Sequence, residues 1–124
     1  MPGYAVLDLE TTGFSPRRGD RIVEIGVVLL DGRGRGQGEW GTLVQPGRSV
    51  GATAVHRITE QDVAGAPTME QIAGRLVEQL RGRLVVAHNA SFDVPFLDAE
   101  LRRAGVPLPG PMMPRACTMR LGRA

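Results

Sequence analysis

The chain has 124 residues and a mass of 13.3 kDa, which is the size of one domain and excludes two. Its 15 basic residues, all arginine, stand against 13 acidic ones, and the formal charge of +2 is too small to establish a nucleic-acid partner by itself. The single cysteine, Cys117, excludes an intramolecular disulfide and indicates a reducing compartment. Because the sequence shows neither a signal peptide nor a run of roughly 18 apolar residues, we predict a cytoplasmic protein without membrane contact.

Three strands are predicted in the first third of the chain. Residues 4–9 form a short apolar run that ends in Asp8-Leu9-Glu10 and continues into a Thr11-Thr12-Gly13 turn, as in a buried strand. Residues 21–31 are rich in Val, Ile and Leu, and a glycine-rich turn then leads to a third strand at about 37–45. The sequence therefore predicts a three-stranded antiparallel start.

Helices and strands alternate in the rest of the chain. After a loop with one short helical turn near residues 59–62, Thr68 is a suitable N-cap for a helix that has Gln71 three residues on. The apolar residues of that helix fall on one face: Met69, Ile72, Ala73, Leu76, Val77 and Leu80. An interior strand at 84–87, a second helix at about 92–104, a fifth strand at 115–118 and the start of a helix at 119–124 follow. Pro95 is expected only in the first turn of its helix. The order predicts an α/β fold.

Asp8 and Glu10 lie two residues apart on a predicted strand, so their side chains point to the same face. Two carboxylates on one face repel each other and need a counter-charge. A hard divalent cation such as Mg²⁺ supplies that charge through oxygen ligands, and a network of ion pairs supplies it equally well. The pair alone leaves both interpretations open.

Asp93 begins a predicted helix directly after an interior strand, near the carboxyl ends of strands where α/β sheets commonly gather ligands. The helix dipole favours a carboxylate at this place even without a ligand, so the position alone does not establish a site. Glu24 has apolar neighbours on both sides, and we predict a buried, hydrogen-bonded acid rather than a ligand.

Four segments of the chain, taken together, resemble a known family. Asp8-Leu9-Glu10-Thr11-Thr12-Gly13 and His88-Asn89-Ala90-Ser91-Phe92-Asp93 resemble the first and second motifs of the DEDD superfamily of 3′-to-5′ exonucleases, of the DEDDh type. In particular, they resemble the proofreading ε subunit of bacterial DNA polymerase III and its relatives. Residues 55–59 resemble the "VHGIT" segment of that family with Arg57 in place of Gly, and residues 117–121 resemble its "CTM-L" segment.

The resemblance implies a ribonuclease H-like fold, with a mixed five-stranded sheet flanked by helices, and a two-metal phosphodiester hydrolase that uses Mg²⁺ or Mn²⁺. Asp8, Glu10 and Asp93 would be its catalytic residues and metal ligands. By this analogy Asp8 would bridge both ions, Glu10 would hold the ion that carries the attacking water, and Asp93 would act at the second ion. Nucleoside monophosphates would leave the 3′ ends of single-stranded DNA or RNA in DNA proofreading or repair, with a DNA polymerase subunit as a possible partner.

The resemblance also implies substrate-binding residues, each with a plainer alternative. Thr11 and Thr12 would contact the terminal nucleotide through backbone N–H or hydroxyl groups, or they only cap the turn. Phe14 would stack on a terminal base, or it is a core contact. His56 would approach substrate or metal-bound water, or it is a structural or solvated loop histidine.

The sequence departs from the family at its end. The third motif of the family places a His and, five residues later, an Asp on the helix after the fifth strand, and no residue here takes either role before Ala124. We therefore expect residues 1–124 to be a single exonuclease domain that is incomplete at its C-terminus, truncated in the last helix, with little activity by itself. The alternatives are a non-catalytic nucleic-acid-binding or interaction module that retains the fold, and a metal-dependent phosphatase of small phosphate esters.

Overall fold

The computed structural model describes residues 3–51, 57–87 and 90–106. Within them four strands form one mixed sheet of order β3-β2-β1-β4. The strands are β1 (Tyr4–Thr11), β2 (Ile22–Leu30), β3 (Gly36–Leu43) and β4 (Leu84–Ala87). β1 pairs antiparallel with β2 and β2 antiparallel with β3, whereas β4 runs parallel to β1. The predicted antiparallel start and the strand at 84–87 are confirmed, and within the described residues that strand lies at one edge of the sheet. The predicted fifth strand and last helix lie outside the described residues.

The two faces of the sheet differ sharply in burial. On β1 the side chains of Ala5, Leu7 and Leu9 are buried against the helices, because alternate residues of a strand point to the same face. The intervening residues, together with the β2 residues paired with them, form what we call the open face: Tyr4, Val6, Asp8 and Glu10 of β1, and Glu24, Gly26, Val28 and Leu30 of β2. All eight are exposed or only partly buried.

Three α-helices lie among the described residues: α1 (Glu60–Val63), α2 (Met69–Leu80) and α3 (Ala90–Arg103). α1 begins at a capping box in which Asp62 N–H donates to Thr59 Oγ1 and Thr59 N–H donates to Asp62 Oδ2, at 3.1 and 2.9 Å. The predicted N-cap of α2 is confirmed by the same motif at Thr68 and Gln71. None of these helices is long and apolar enough to cross a membrane.

The core lies between the sheet and the two longer helices. All six residues predicted for the apolar face of α2 are buried, as are the α3 residues Phe96, Leu97 and Leu101. They pack in one cluster with Leu7 and Leu9 of β1. Burial of this one sheet face stabilises the fold and leaves the opposite, open face at least partly accessible to solvent.

The prediction for Pro95 was wrong. α3 begins at Ala90, two residues before the predicted start, so Pro95 lies in the second turn of the helix. Proline has no N–H, and the bond that residue 95 would otherwise donate to the carbonyl of residue 91 cannot form. The first turn of α3 therefore depends more on its tertiary contacts than the rest of the helix does.

Candidate metal and nucleic-acid site

Asp8 and Glu10 project from the open face of β1, as their spacing predicts. Asp8 is exposed and Glu10 is partly buried. In the parallel β1–β4 pair Leu7 lies beside Ala87, the last residue of β4, so Asp8 lies one residue beyond the end of that strand. The two carboxylates thus stand where the carboxyl ends of two parallel strands meet, which is where α/β sheets gather ligands.

Glu24 corrects a prediction made from the sequence. It is exposed rather than buried, and in the β1–β2 ladder it pairs directly with Glu10. Its neighbours in sequence are fully buried: Ile25 points to the opposite face of β2, and Val23, at an irregularity of the β1–β2 ladder, packs in a separate apolar cluster. The open face therefore carries a third carboxylate beside the two that the motif predicts.

Asp93 lies in the first turn of α3, which follows β4 after a two-residue connection. Its side chain is only 3% exposed, in contrast to Asp8. In the part of the chain that the structure describes, no group of three His, Cys, Asp or Glu side chains is arranged to hold a metal ion. The shared face of Asp8 and Glu10 is thus established, and the convergence of Asp93 with them remains a prediction.

The turn after Glu10 is held by side chains. Thr11 Oγ1 donates to the carbonyl of Gly13 at 2.6 Å, and Thr12 Oγ1 donates to Asp20 Oδ1 at 2.9 Å. Both threonines are buried, to 7% and 5% exposure. Their hydroxyls therefore stabilise the turn, as the plainer of the two alternatives predicts. Any contact of this segment with substrate would be made by its backbone groups.

Asp20 is the centre of this turn, and no sequence pattern indicated this role. Besides Thr12, its carboxylate accepts from the N–H of Ser15 at 3.1 Å and pairs with Arg48 at 3.1 Å. A side chain at Gly13 would collide with the same carboxylate, which explains the glycine. Asp20 thus connects two points of the loop between β1 and β2 to each other and to Arg48, which follows β3.

Phe14 projects from this braced loop into solvent. It is 85% exposed, which excludes the alternative that it is a core contact. Two exposed arginines, Arg17 and Arg18, follow it in a short 3₁₀ turn. An exposed aromatic ring beside cationic side chains is typical of surfaces that bind single-stranded nucleic acid.

The backbone conformation at Arg57 accounts for the glycine that the family has at this place. Its φ angle is +63°, in the left-handed region that favours glycine, and glycine is the residue that the related segment has at this place. His56, the predicted substrate residue next to it, lies outside the described residues.

A groove of about 570 Å³ lies on the open face. It is lined, among others, by Val6, Asp8, Gly26, Val28, Glu39 and Gly41. Val28 is 42% exposed although apolar, so this part of the sheet presents hydrophobic surface next to a carboxylate.

The donor set fits a hard divalent cation. Asp8 and Glu10 offer carboxylate oxygens on one exposed face, and Glu24 adds negative charge directly across from Glu10. Oxygen ligands of this kind are preferred by Mg²⁺ and Mn²⁺.

Comparison with known proteins gives a consistent result. A family model described as "Exonuclease" (RNase T) matches residues 5–124. The DNA polymerase III subunit epsilon-like protein of Rhodobacter capsulatus is 46% identical over 97 residues, which are 76% of this chain and 14% of that protein. The DNA polymerase III subunit epsilon of Buchnera aphidicola is 38% identical over 102 residues, 77% of this chain and 43% of that protein. The chain therefore spans less than half of either relative.

Solved structures share the fold. Exonuclease I of E. coli, in complex with a dT13 oligonucleotide, superposes with a TM-score of 0.72 over 86% of this chain and 25% of its own, at 18% sequence identity. The predicted class, an α/β ribonuclease H-like fold with a mixed sheet flanked by helices, is confirmed, with four strands in the described residues.

Proposed function

Because the chain belongs to the RNase T exonuclease family, we propose that it is a metal-dependent 3′-to-5′ exonuclease domain. It would release nucleoside monophosphates from nucleic-acid 3′ ends in DNA proofreading or repair. The observation that carries the proposal is the placement of Asp8 and Glu10 together on the open face of β1, beside the end of the parallel strand β4. A sheet edge with paired carboxylates suits a reaction that needs divalent cations.

Exonucleases of this family depend on metal ions, and we propose that here the ions are two Mg²⁺ or Mn²⁺. Asp8 and Glu10 would hold them from β1, and Asp93 would act from the first turn of α3. Two divalent ions, when bound, would stabilise the attacking and leaving oxygens of a phosphodiester displacement and lower the pKa of the attacking water. The carboxylates also fix the place of the scissile phosphate by fixing the place of its counter-charge.

The substrate would enter along the turn that follows Glu10. The hydroxyls of Thr11 and Thr12 are engaged in the turn, so their role would be to hold backbone N–H groups toward the 3′ nucleotide. Phe14, exposed and carried by a braced loop, would stack on a terminal base. His56 stays a candidate for substrate contact.

The proposal also covers the partners, the location and the extent of the domain. Single-stranded DNA or RNA 3′ ends are the partners we propose, with a DNA polymerase subunit as a further one. A cytoplasmic location fits the single cysteine. Residues 1–124 would be one exonuclease domain whose general base and fourth metal ligand come from sequence beyond Ala124.

The test compares the 124-residue chain with a longer form that continues through the next helix. Each is incubated with a single-stranded oligonucleotide and, separately, with a simple phosphate ester, in Mg²⁺ or Mn²⁺. We expect the longer form to release mononucleotides from the 3′ end, to leave the ester intact and to exceed the 124-residue chain, since a positioned base contributes about 10²–10⁴ in rate. Binding without hydrolysis by the longer form would instead support a non-catalytic module, and ester hydrolysis would support a phosphatase.

A further inference from the structure

A buried ion pair connects the start of β2 to α3. The Glu100 carboxylate, only 2% exposed, accepts from Arg21 Nε at 2.9 and 3.0 Å and pairs with Arg21 Nη2 at 2.9 Å. It also accepts from the N–H of Ile22 at 2.9 Å. A buried carboxylate with several donors has one favourable place, because any displacement leaves a desolvated charge without compensation. Glu100 therefore locks α3 onto β2 at a defined point.

The backbone of Arg21 is locked in turn to the segment that follows the candidate metal ligands. Its carbonyl accepts from the N–H of Thr12 at 2.8 Å, and its own N–H donates to Thr12 Oγ1 at 3.1 Å. Thr12 lies two residues after Glu10. Arg21 thus holds the end of the β1 motif with its main chain and α3 with its side chain.

Glu100 and Asp93 lie on the same stripe of α3. They are seven residues apart, which is almost two helical turns and about 10 Å along the axis. Both are buried, at 2% and 3% exposure. A fixed position of Glu100 therefore also fixes the rotation of α3 about its axis. That rotation determines the direction in which Asp93 projects. Because Pro95 cannot donate a hydrogen bond to the carbonyl of residue 91, the first turn, which carries Asp93, depends all the more on how α3 is docked.

We infer that Arg21 and Glu100 are a positioning pair, which sets the place of Asp93 relative to Asp8 and Glu10. The inference rests on the proposed function, since it assigns the pair a role in holding the divalent cations of that site. If the pair only stabilised the fold, breaking it would lower the melting temperature and leave the Mn²⁺ affinity of the folded protein unchanged. A positioning pair changes the affinity in protein that is still folded, as groups that orient metal ligands do.

The test measures Mn²⁺ binding by the longer form that continues through the next helix, by calorimetry or electron paramagnetic resonance, well below the melting temperature of each variant. Glu100→Gln keeps the shape of the side chain and removes its charge, and we expect it to weaken Mn²⁺ binding by roughly tenfold. Arg21→Lys keeps the charge without the planar fork, and we expect a smaller loss in the same direction. The second variant carries the test if the first does not fold.

The matched control is Asp98→Asn, which breaks the exposed Asp98–Arg102 pair, 3.1 Å apart on the same helix. It should leave Mn²⁺ affinity unchanged. Asp8→Ala reports on the proposed function separately, and it should abolish the specific Mn²⁺ binding. If Asp8→Ala has this effect while Glu100→Gln and Arg21→Lys fold and bind Mn²⁺ as the wild type does, the positioning role is overturned and the proposed function stands. If the wild type shows no Mn²⁺ binding that depends on Asp8, both are overturned.

Discussion

Glu10 of β1 and Glu24 of β2 lie directly opposite each other in the sheet, with both side chains on the open face. Paired residues of this kind have Cβ atoms about 5 Å apart, and like charges at that distance are destabilising. The antiparallel ladder thus places two like charges on the same face as Asp8, two residues further along β1. A divalent cation bound at the open face would offset the repulsion within this pair.

The first prediction follows from this pair. Glu24→Gln should raise the free energy of unfolding in metal-free buffer by about 0.2–1 kcal/mol, because it removes one of two opposed charges. Urea denaturation with a chelator measures the change. Glu78→Gln, which removes the same charge from the exposed side of α2, is the control and should have a smaller effect. A loss of stability in Glu24→Gln would show that Glu24 makes a favourable contact.

The left-handed backbone of Arg57 gives a second prediction. Arg57→Gly should stabilise the protein by about 0.5–1 kcal/mol, because relief of a strain of about 1–2 kcal/mol exceeds the added freedom of the unfolded chain. Arg57→Ala removes the same side chain and keeps the strained Cβ, so it should give no such gain. The melting temperatures of the two variants decide the matter, and equal values would exclude backbone strain as the cause.

Gly51 provides a third prediction, about the turn at Thr12. Its φ is +63°, and a Cβ there would collide with the carbonyl oxygen of Thr12. Gly47 has a similar φ of +71° and open space around it, so Gly47→Ala isolates the backbone cost, about 1 kcal/mol. Gly51→Ala should cost at least about 1 kcal/mol more, because backbone atoms must move apart. Equal losses of unfolding free energy in the two variants, measured by chemical denaturation, would mean that the turn at Thr12 accommodates the added methyl group without cost.

Phe14 gives a fourth prediction, about substrate rather than stability. Phe14→Ala should leave the melting temperature unchanged, because the ring is 85% exposed, and should weaken binding of a single-stranded oligonucleotide by about 1–3 kcal/mol. Phe14→Tyr keeps an aromatic face and should retain most of the affinity. Fluorescence anisotropy in the absence of divalent cations measures both, and an unchanged affinity in Phe14→Ala would remove the stacking role.

The parts of the fold that the sequence predicted are those with a local signal. The buried face of α2 follows from helical spacing, and its start follows from the Thr68–Gln71 capping box. Asp8 and Glu10 share a face because strand residues alternate. The prediction for Glu24 was wrong because it relied on apolar neighbours in sequence, and neighbours in a strand point to the opposite face.

The features that sequence reasoning missed are connections between distant residues. Arg21 and Glu100 are 79 residues apart, and nothing near either one marks it as half of a buried pair. Asp20 is eight residues from Thr12, and its role depends on a loop whose shape no short pattern determines. Such contacts form only when the elements pack, so local propensity and periodicity do not report them.

The proposed exonuclease activity and its dependence on Asp8 are tested most directly by hydrolysis of a 5′-labelled single-stranded oligonucleotide in Mg²⁺. The products of the longer form and of its Asp8→Ala variant are resolved to single nucleotides. We expect a ladder that shortens one nucleotide at a time from the 3′ end in the wild type and no ladder in the variant. We also expect that the variant melts at the wild-type temperature or higher in metal-free buffer, because a repelling carboxylate is gone. Asp98→Ala, which removes a carboxylate from α3 away from the open face, should cleave like the wild type. A folded wild-type protein that leaves the oligonucleotide intact, or an Asp8→Ala variant that degrades it at the wild-type rate, would contradict the proposed exonuclease function.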